Sequence, residues 1–212
     1  MTTARPVLVP ADRLPRWLDN FAARHGDVAG ETRAGRLHLS AADGAAAVAA
    51  LPLDQLYAGP PDVASFAAAA RPTMRWGLLL VRKGGFAVAA VEGSRVVASK
   101  VGRRHVQGRT KAGGQSQQRF ARRRDNQARQ AYAAAAGHTF DLLGSGFDPE
   151  IVVCGGDRTA VDAVLSDARL ARLGTVRGGP WLPVPDPRRA VLDQAVADAC
   201  ACTITVLPAA TD

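Results

Sequence analysis

WGLLLVRKGGFAVAAVEGSRVVASKV, residues 76–101, reads as three strands joined by two tight turns. WGLLLV (76–81) and FAVAAV (86–91) are apolar runs, and Lys83-Gly84-Gly85 between them is a turn signal. Glu92-Gly93-Ser94 marks a second turn, and RVVASKV (95–101) supplies the third strand. An antiparallel meander is therefore expected in the middle of the chain. Downstream, EIVVC (150–154) reads as a strand that meets Gly155-Gly156, and Asp157 opens a helix to about Leu165. A short element around 173–177, a proline-punctuated loop through Pro183, Pro185 and Pro187, a helix over 187–199 and a last strand TITVL (203–207) complete the pattern. Three antiparallel strands followed by helix–strand–helix units define an α/β fold with a mixed sheet.

Upstream, residues 1–72 read as a small, separate α/β unit. VLV at 7–9 is a short strand, and Asp12 caps a helix whose apolar positions are Leu14, Trp17, Leu18 and Phe21. Pro15 is tolerated in the first turn, and Gly26 stops the helix. RLHLS (36–40) alternates as a strand does, Asp43 caps an Ala-rich helix over 44–50, and a short helix over 62–70 leads to Pro72. The domains expected are 1–72 and 73–212.

Charge singles out one segment. The chain carries +8, yet residues 100–129 hold ten Lys or Arg against a single acid, Asp125, while the remainder has 17 basic and 18 acidic residues. A protein that is neutral except for one intensely basic stretch is built to meet a polyanion there. The other reading is a solvated face without a partner, against which stands the self-repulsion of such a block. The candidate RNA-binding residues are Arg103, Arg104, Arg109, Lys111, Arg119, Arg122 and Arg123. Past Gln115 the pattern becomes a long helix over about 116–136, with Phe120, Ala121, Ala128, Ala131, Tyr132 and Ala135 on one face. Gly137 or the Gly144-Ser145-Gly146 stretch ends it. Arg124 falls on the apolar side of that wheel, so it is expected to be partly buried and paired.

Within the basic stretch lies RTKAGGQSQQRFARRR, residues 109–124. A basic, glycine-containing approach leads into Gly113, Gly114, Gln115 and Ser116, then Arg119, Phe120, Ala121, Arg122 and Arg124. This pattern resembles the catalytic middle domain of the eukaryotic and archaeal peptide-chain release factors, in which GGQS is followed by RFAR and a further Arg. The meander before it and the helix after it come in the same order, so the resemblance spans roughly 74–212. It implies a ribonuclease H-like shape and a peptidyl-tRNA hydrolase, with Gly113, Gly114 and Gln115 as the catalytic loop. The partners implied are the large ribosomal subunit, ribosomal RNA and peptidyl-tRNA, with no cofactor. In that family the backbone amide of the glutamine is thought to bind the oxyanion or leaving hydroxyl. The physics agrees: paired glycines allow close backbone approach, and a helix start presents unpartnered amides that favour developing negative charge.

Residues 1–72 show no counterpart of the family's stop-codon-reading segments and are not basic overall. The likeness therefore points to the release-factor-like hydrolases of ribosome rescue, specifically an actinobacterial branch. The N-terminal unit is expected to orient the catalytic domain. A non-catalytic ribosome or RNA binder is the alternative; relatives of that kind lack the GGQ. A nuclease would need clustered carboxylates, and Glu92 and Asp157 stand alone.

Cys154, Cys200 and Cys202 form no disulfide framework, and no Cys/His pattern at ligand spacing suggests a metal. No apolar run approaches the roughly 20 residues needed to span a bilayer. The opening MTTARPVLVPADRLPRW has too short an apolar stretch for a signal peptide. A cytoplasmic, monomeric chain without membrane association is the expectation.

Overall fold

The computed structural model describes residues 6–103 and 129–209. The chain divides into two compact units, Met1–Thr73 with Ala197–Asp212, and Met74–Val196.

The first unit is built from β1 (Pro6–Pro10), α1 (Leu14–His25), β2 (Val28–Arg33), β3 (Arg36–Ala41), β4 (Ala46–Ala50), α2 (Val63–Ala69) and the last strand of the chain, β9 (Ala201–Leu207). The sheet order is β1-β9-β4-β3-β2, with every neighbouring pair antiparallel. Leu14, Leu18 and Phe21 recur at helical spacing on α1 and are buried, together with Phe66 of α2, against Leu37, Leu39, Ala47 and Ile204 of the sheet. Gly26, at φ +83°, closes α1 by donating its N–H to the Ala22 carbonyl at 2.9 Å. Asp12 lies in a short 3-10 turn instead of capping α1, whose N-cap is Arg13 without a side-chain cap bond.

Two expectations for this unit are corrected. The Ala-rich stretch expected as a helix over 44–50 is the strand β4. Alanine favours helix only by tenths of a kcal/mol per residue, and pairing on both sides outweighs that preference. Ala47 faces Leu39 and Val206, and Ala49 faces Leu37 and Ile204. Asp43 and Gly44 (φ +87°) make the turn before it, with the Ala45 N–H donating to Asp43 Oδ1 at 2.9 Å. The second correction concerns the domain limits. The strand expected to end a domain over 73–212 lies between β1 and β4 in the first sheet. Partner choice for an apolar strand is a long-range matter that its own residues do not encode. β2 is a further strand that its polar sequence, VAGETR, does not announce, and it forms the half-exposed edge.

The second unit contains β5 (Arg75–Arg82), β6 (Gly85–Glu92), β7 (Arg95–Arg103), a helix with described residues 129–139 (α3), β8 (Ile151–Gly156), α4 (Arg158–Leu165), α5 (Ala171–Thr175) and most of α6 (Arg189–Ala199). Its sheet runs β7-β6-β5-β8. The three strands of the meander are antiparallel, while β8 joins β5 in parallel. The architecture is thus a mixed α/β fold. On one face Leu79, Val81, Val88, Val152 and Cys154 pack with Ala135 and Ala136 of α3, Val161 and Val164 of α4 and Leu173 of α5. Side chains of the other face, Leu78, Leu80, Ala87, Ala89 and Val153, are buried as well. Arg189 at the start of α6 reaches Ser99 Oγ at 3.4 Å. Burial on both faces explains why these strands read as continuous apolar runs and not as alternation.

α3 passes Gly137 and ends through a π turn, Phe140–Gly144, where the Ser145 N–H donates to the Phe140 carbonyl at 2.8 Å. Gly156, at φ +93°, turns β8 toward α4 so tightly that an added Cβ would meet the Val81 carbonyl oxygen at 2.3 Å. Asp157 then caps α4, accepting from the backbone N–H groups of Thr159 at 3.1 Å and Ala160 at 3.4 Å. Its bond from the Thr159 hydroxyl, foremost, holds its carboxyl below the usual range. Asp157→Ala is expected to lower the midpoint of urea unfolding by an amount equivalent to about 1 kcal/mol, without changing the slope of the transition. An unchanged midpoint would show that the cap contributes nothing.

Among the described residues, no helix is long and apolar enough to cross a membrane.

Candidate functional site

Of the residues singled out by sequence, Arg103 is within the described structure. It is exposed at the end of β7, opposite Gly85 of β6. Gly113, Gly114, Gln115, Arg104, Arg109, Lys111, Arg119, Arg122, Arg123 and Arg124 lie outside the described residues. What the structure does place is the frame from which that segment departs and to which it returns. β7 is hydrogen-bonded along its length to the buried strand β6, and α3 buries Ala135 and Ala136 against the sheet. Thr139, a buried polar residue of α3, donates its hydroxyl to the Ala135 carbonyl at 2.7 Å and so leaves no unmet donor.

The charges of this unit are distributed unevenly in their pairing. Arg169 meets Asp167 at 2.7 Å, Arg177 meets Asp162 at 2.6 Å, Arg189 meets Asp193 at 2.9 Å and Arg95 meets Glu92 at 2.8 Å. Arg172 pairs with Asp148. Arg158 and Arg177 both stack on Trp181, with guanidinium carbons 4.3 and 5.3 Å from the ring centre. Trp181 is therefore a packing residue flanked by cations, and Glu92 and Asp157 are engaged in a surface ion pair and a helix cap. By contrast Lys83, Lys100 and Arg103 enter no ion pair among the described residues. Lys83 and Arg103 belong to the end of the sheet where the basic segment begins.

At that end lies a small pocket of about 120 Å³, partly open to solvent. Its walls are the β5–β6 turn (Val81, Arg82, Lys83, Gly85 and Phe86), Arg103, and α3 through Ala131, Tyr132, Ala134 and Ala135. Sequence reading missed this pocket. Its residues are spread over three elements, and Tyr132 was legible only as part of a helix face.

The thiols show no reactive character. Burial pushes Cys154 and Cys200 up to about 11 and Cys202 to about 12, so each stays protonated near neutrality. Among the described residues no group of three or more His, Cys, Asp or Glu is placed to hold a metal. Native protein treated with iodoacetamide at pH 8 is expected to leave Cys154 and Cys202 unmodified, with both reacting once guanidinium unfolds the chain. Rapid native labelling of either would contradict its burial.

Fold and site together describe a mixed α/β domain whose meander sends out, and whose next helix receives, an intensely basic glycine-containing segment. Residues 74–205 match the family described as Actinobacteria/chloroflexi VLRF1 release factor, and the chain belongs to that family. The match begins at the first residue of the second unit and extends through most of β9. The family is described as one of release factors. No curated protein matches the chain. One solved structure, described as "Archaeal protein", is similar at 14% identity with a TM-score of 0.37, over 74% of this chain. The chain spans 48% of that protein's length.

Proposed function

We propose that this chain is a peptidyl-tRNA hydrolase that frees nascent chains from stalled ribosomes without reading a stop codon. The observation that carries the proposal is the sequence Gly113-Gly114-Gln115-Ser116 with Arg119, Phe120, Ala121, Arg122 and Arg124 behind it, in a chain of the release-factor family. Water attacks the carbonyl carbon of the ester joining peptide to the terminal ribose. A carbon–oxygen bond to water forms, the bond to the ribose oxygen breaks, and the tRNA leaves with its hydroxyl restored. Such a step needs a positioned water and donors aimed at the oxyanion. Gly113 and Gly114 permit close backbone approach, and the Gln115 amide serves as the donor. Arg103, Arg104, Arg109, Lys111, Arg119, Arg122 and Arg123 hold ribosomal RNA of the large subunit. The chain acts in the cytoplasm as a monomer, with no cofactor.

Stop-codon independence is part of this reading; the first unit carries none of the family's decoding residues. Reading a codon requires base-specific contacts from a dedicated module. The test is release from matched ribosome–nascent-chain complexes carrying a stop codon, a sense codon or no codon in the decoding site. Equal rates on all three are expected. A rate that rises strongly with the stop codon would restore a termination role.

A further inference from the structure

The ring of Phe86 lies between the two roots of the basic segment. β6 and β7 pair to their ends, with Phe86 opposite Gly102 and Gly85 opposite Arg103, the last residue of β7. Phe86 is buried, and its ring leans across the β7 backbone. A Cβ built on Gly102 would overlap the ring, with only 2.5 Å to Cζ, so a glycine at 102 is what leaves it that place. On the other side is the imidazole of His138 on α3, with 5.6 Å between ring centres and 26° between planes. That distance and angle are those of a stacked aromatic pair. One ring thus meets both the strand from which the segment departs and the helix to which it returns.

The rest of the α3 face at this end is mostly small. Ala131, Ala134 and Ala135 recur at helical spacing with His138. Together with Tyr132 they leave a pocket of about 120 Å³ against the β5–β6 turn. Alanines do not interlock with the turn, so the lateral placement of α3 over the end of β7 rests largely on the Phe86–His138 stack. The turn that carries Phe86 is itself braced. The Arg82 guanidinium donates to the Val184 carbonyl at 3.0 Å, and the Asp157 N–H donates to the Val81 carbonyl at 2.8 Å. The Asp186 carboxylate covers Gly84, where an added Cβ would meet its Cγ at 2.5 Å.

We propose that the Phe86–His138 stack is a positioning element for nascent-chain release, a spacer that fixes the end of β7 relative to α3. These are the two points between which Gly113, Gly114 and Gln115 are carried in the chain. The inference rests on the hydrolase reading. A misplacement of about 1 Å far from the chemistry can lower a rate about 10²-fold, so a spacer at the roots bears on the rate. Neither ring is a catalytic residue, since both act through the segment they hold.

The test measures single-turnover release from purified stalled complexes over a range of chain concentrations, which separates the maximal rate from the half-saturating concentration. Rates are normalised to the folded fraction. His138→Ala removes one ring from the stack and is expected to lower the maximal rate about tenfold, with the half-saturating concentration unchanged. His138→Phe keeps an aromatic ring against Phe86 and should restore the wild-type rate. Gly102→Ala displaces the Phe86 ring from the β7 side and should repeat the His138→Ala result; it carries the test if His138→Ala proves unfolded by circular dichroism. Deuterium exchange on the free chain needs no substrate. His138→Ala should speed exchange of the amides at 100–103 and 131–138, and His138→Phe and Gln115→Ala should not. A Gln115→Ala chain that releases at the wild-type rate would sink the hydrolase reading itself. Unchanged local exchange in His138→Ala, an equal loss of rate in His138→Phe, or a loss seen only in the half-saturating concentration would each overturn the spacer.

Discussion

Gln115→Ala is expected to lower nascent-chain release roughly 10²–10³-fold while leaving unfolding temperature and ribosome affinity at wild-type values. The expectation rests on where the residue stands in the chain. Gln115 follows two glycines and precedes the stretch read as helix, whose first amides have no partner within the helix. A water positioned for attack lowers the barrier without contributing to binding in the ground state, so loss of a side chain that holds it appears in the rate constant. The alanine variant keeps the backbone amide, so a deficit would report the side chain, which in the proposed function positions the water. Gly114→Ala tests the backbone instead and should be equally damaging, since glycine alone reaches the required conformations freely. Multiple turnover is not needed to read this. Single-turnover release on purified stalled complexes separates chemistry from dissociation, and a Gln115→Ala rate equal to wild type would remove the catalytic assignment.

Leu79→Ala should destabilise the second unit by about 2–5 kcal/mol. Leu79 is fully buried on β5, an inner strand of the second sheet, with Val88 and Cys154 as its register partners on either side. The same core includes Ala135 of α3 and Val161 of α4, both buried. Backbone pairing on both flanks prevents the strand from collapsing into the space left behind, so the cavity term adds to the lost transfer energy. A domain typically has only about 5–15 kcal/mol of net stability. The change would therefore lower the population of folded protein near 37 °C, and release activity would fall in proportion to that population. Chemical denaturation with tryptophan fluorescence is the measurement. A loss below 1 kcal/mol would mean that the core at β5 relaxes to fill the space.

The two results separate cleanly. Gln115→Ala acts on the rate with stability intact, and Leu79→Ala acts on stability with the loop sequence intact. The contrast mirrors how each feature could be read. The loop motif is a run of consecutive residues, so it is legible without any structure. The pocket of Phe86, Arg103 and Tyr132 is assembled from the β5–β6 turn, the end of β7 and α3, which lie far apart in sequence. No local pattern announces it.

The sequence by itself determined the elements whose residues carry their own instructions. The meander of β5, β6 and β7 is fixed by apolar runs around Lys83-Gly84-Gly85 and Glu92-Gly93-Ser94. The helix start at Asp157 is fixed by a side chain that accepts the first amide bonds. The stop of α1 at Gly26 is fixed by a backbone angle of +83°. It also determined the concentration of charge between Lys100 and Arg129 and the motif within it. Tertiary structure alone decided that Ala46–Ala50 is a strand, because two neighbouring strands supply hydrogen bonds and burial that exceed alanine's small helical preference. It alone decided that β9 lies between β1 and β4 in the first sheet, since a strand's choice of partner depends on which open edge and apolar face the rest of the chain presents. It alone placed β8 parallel to β5, because that pairing depends on how the intervening chain returns to the sheet.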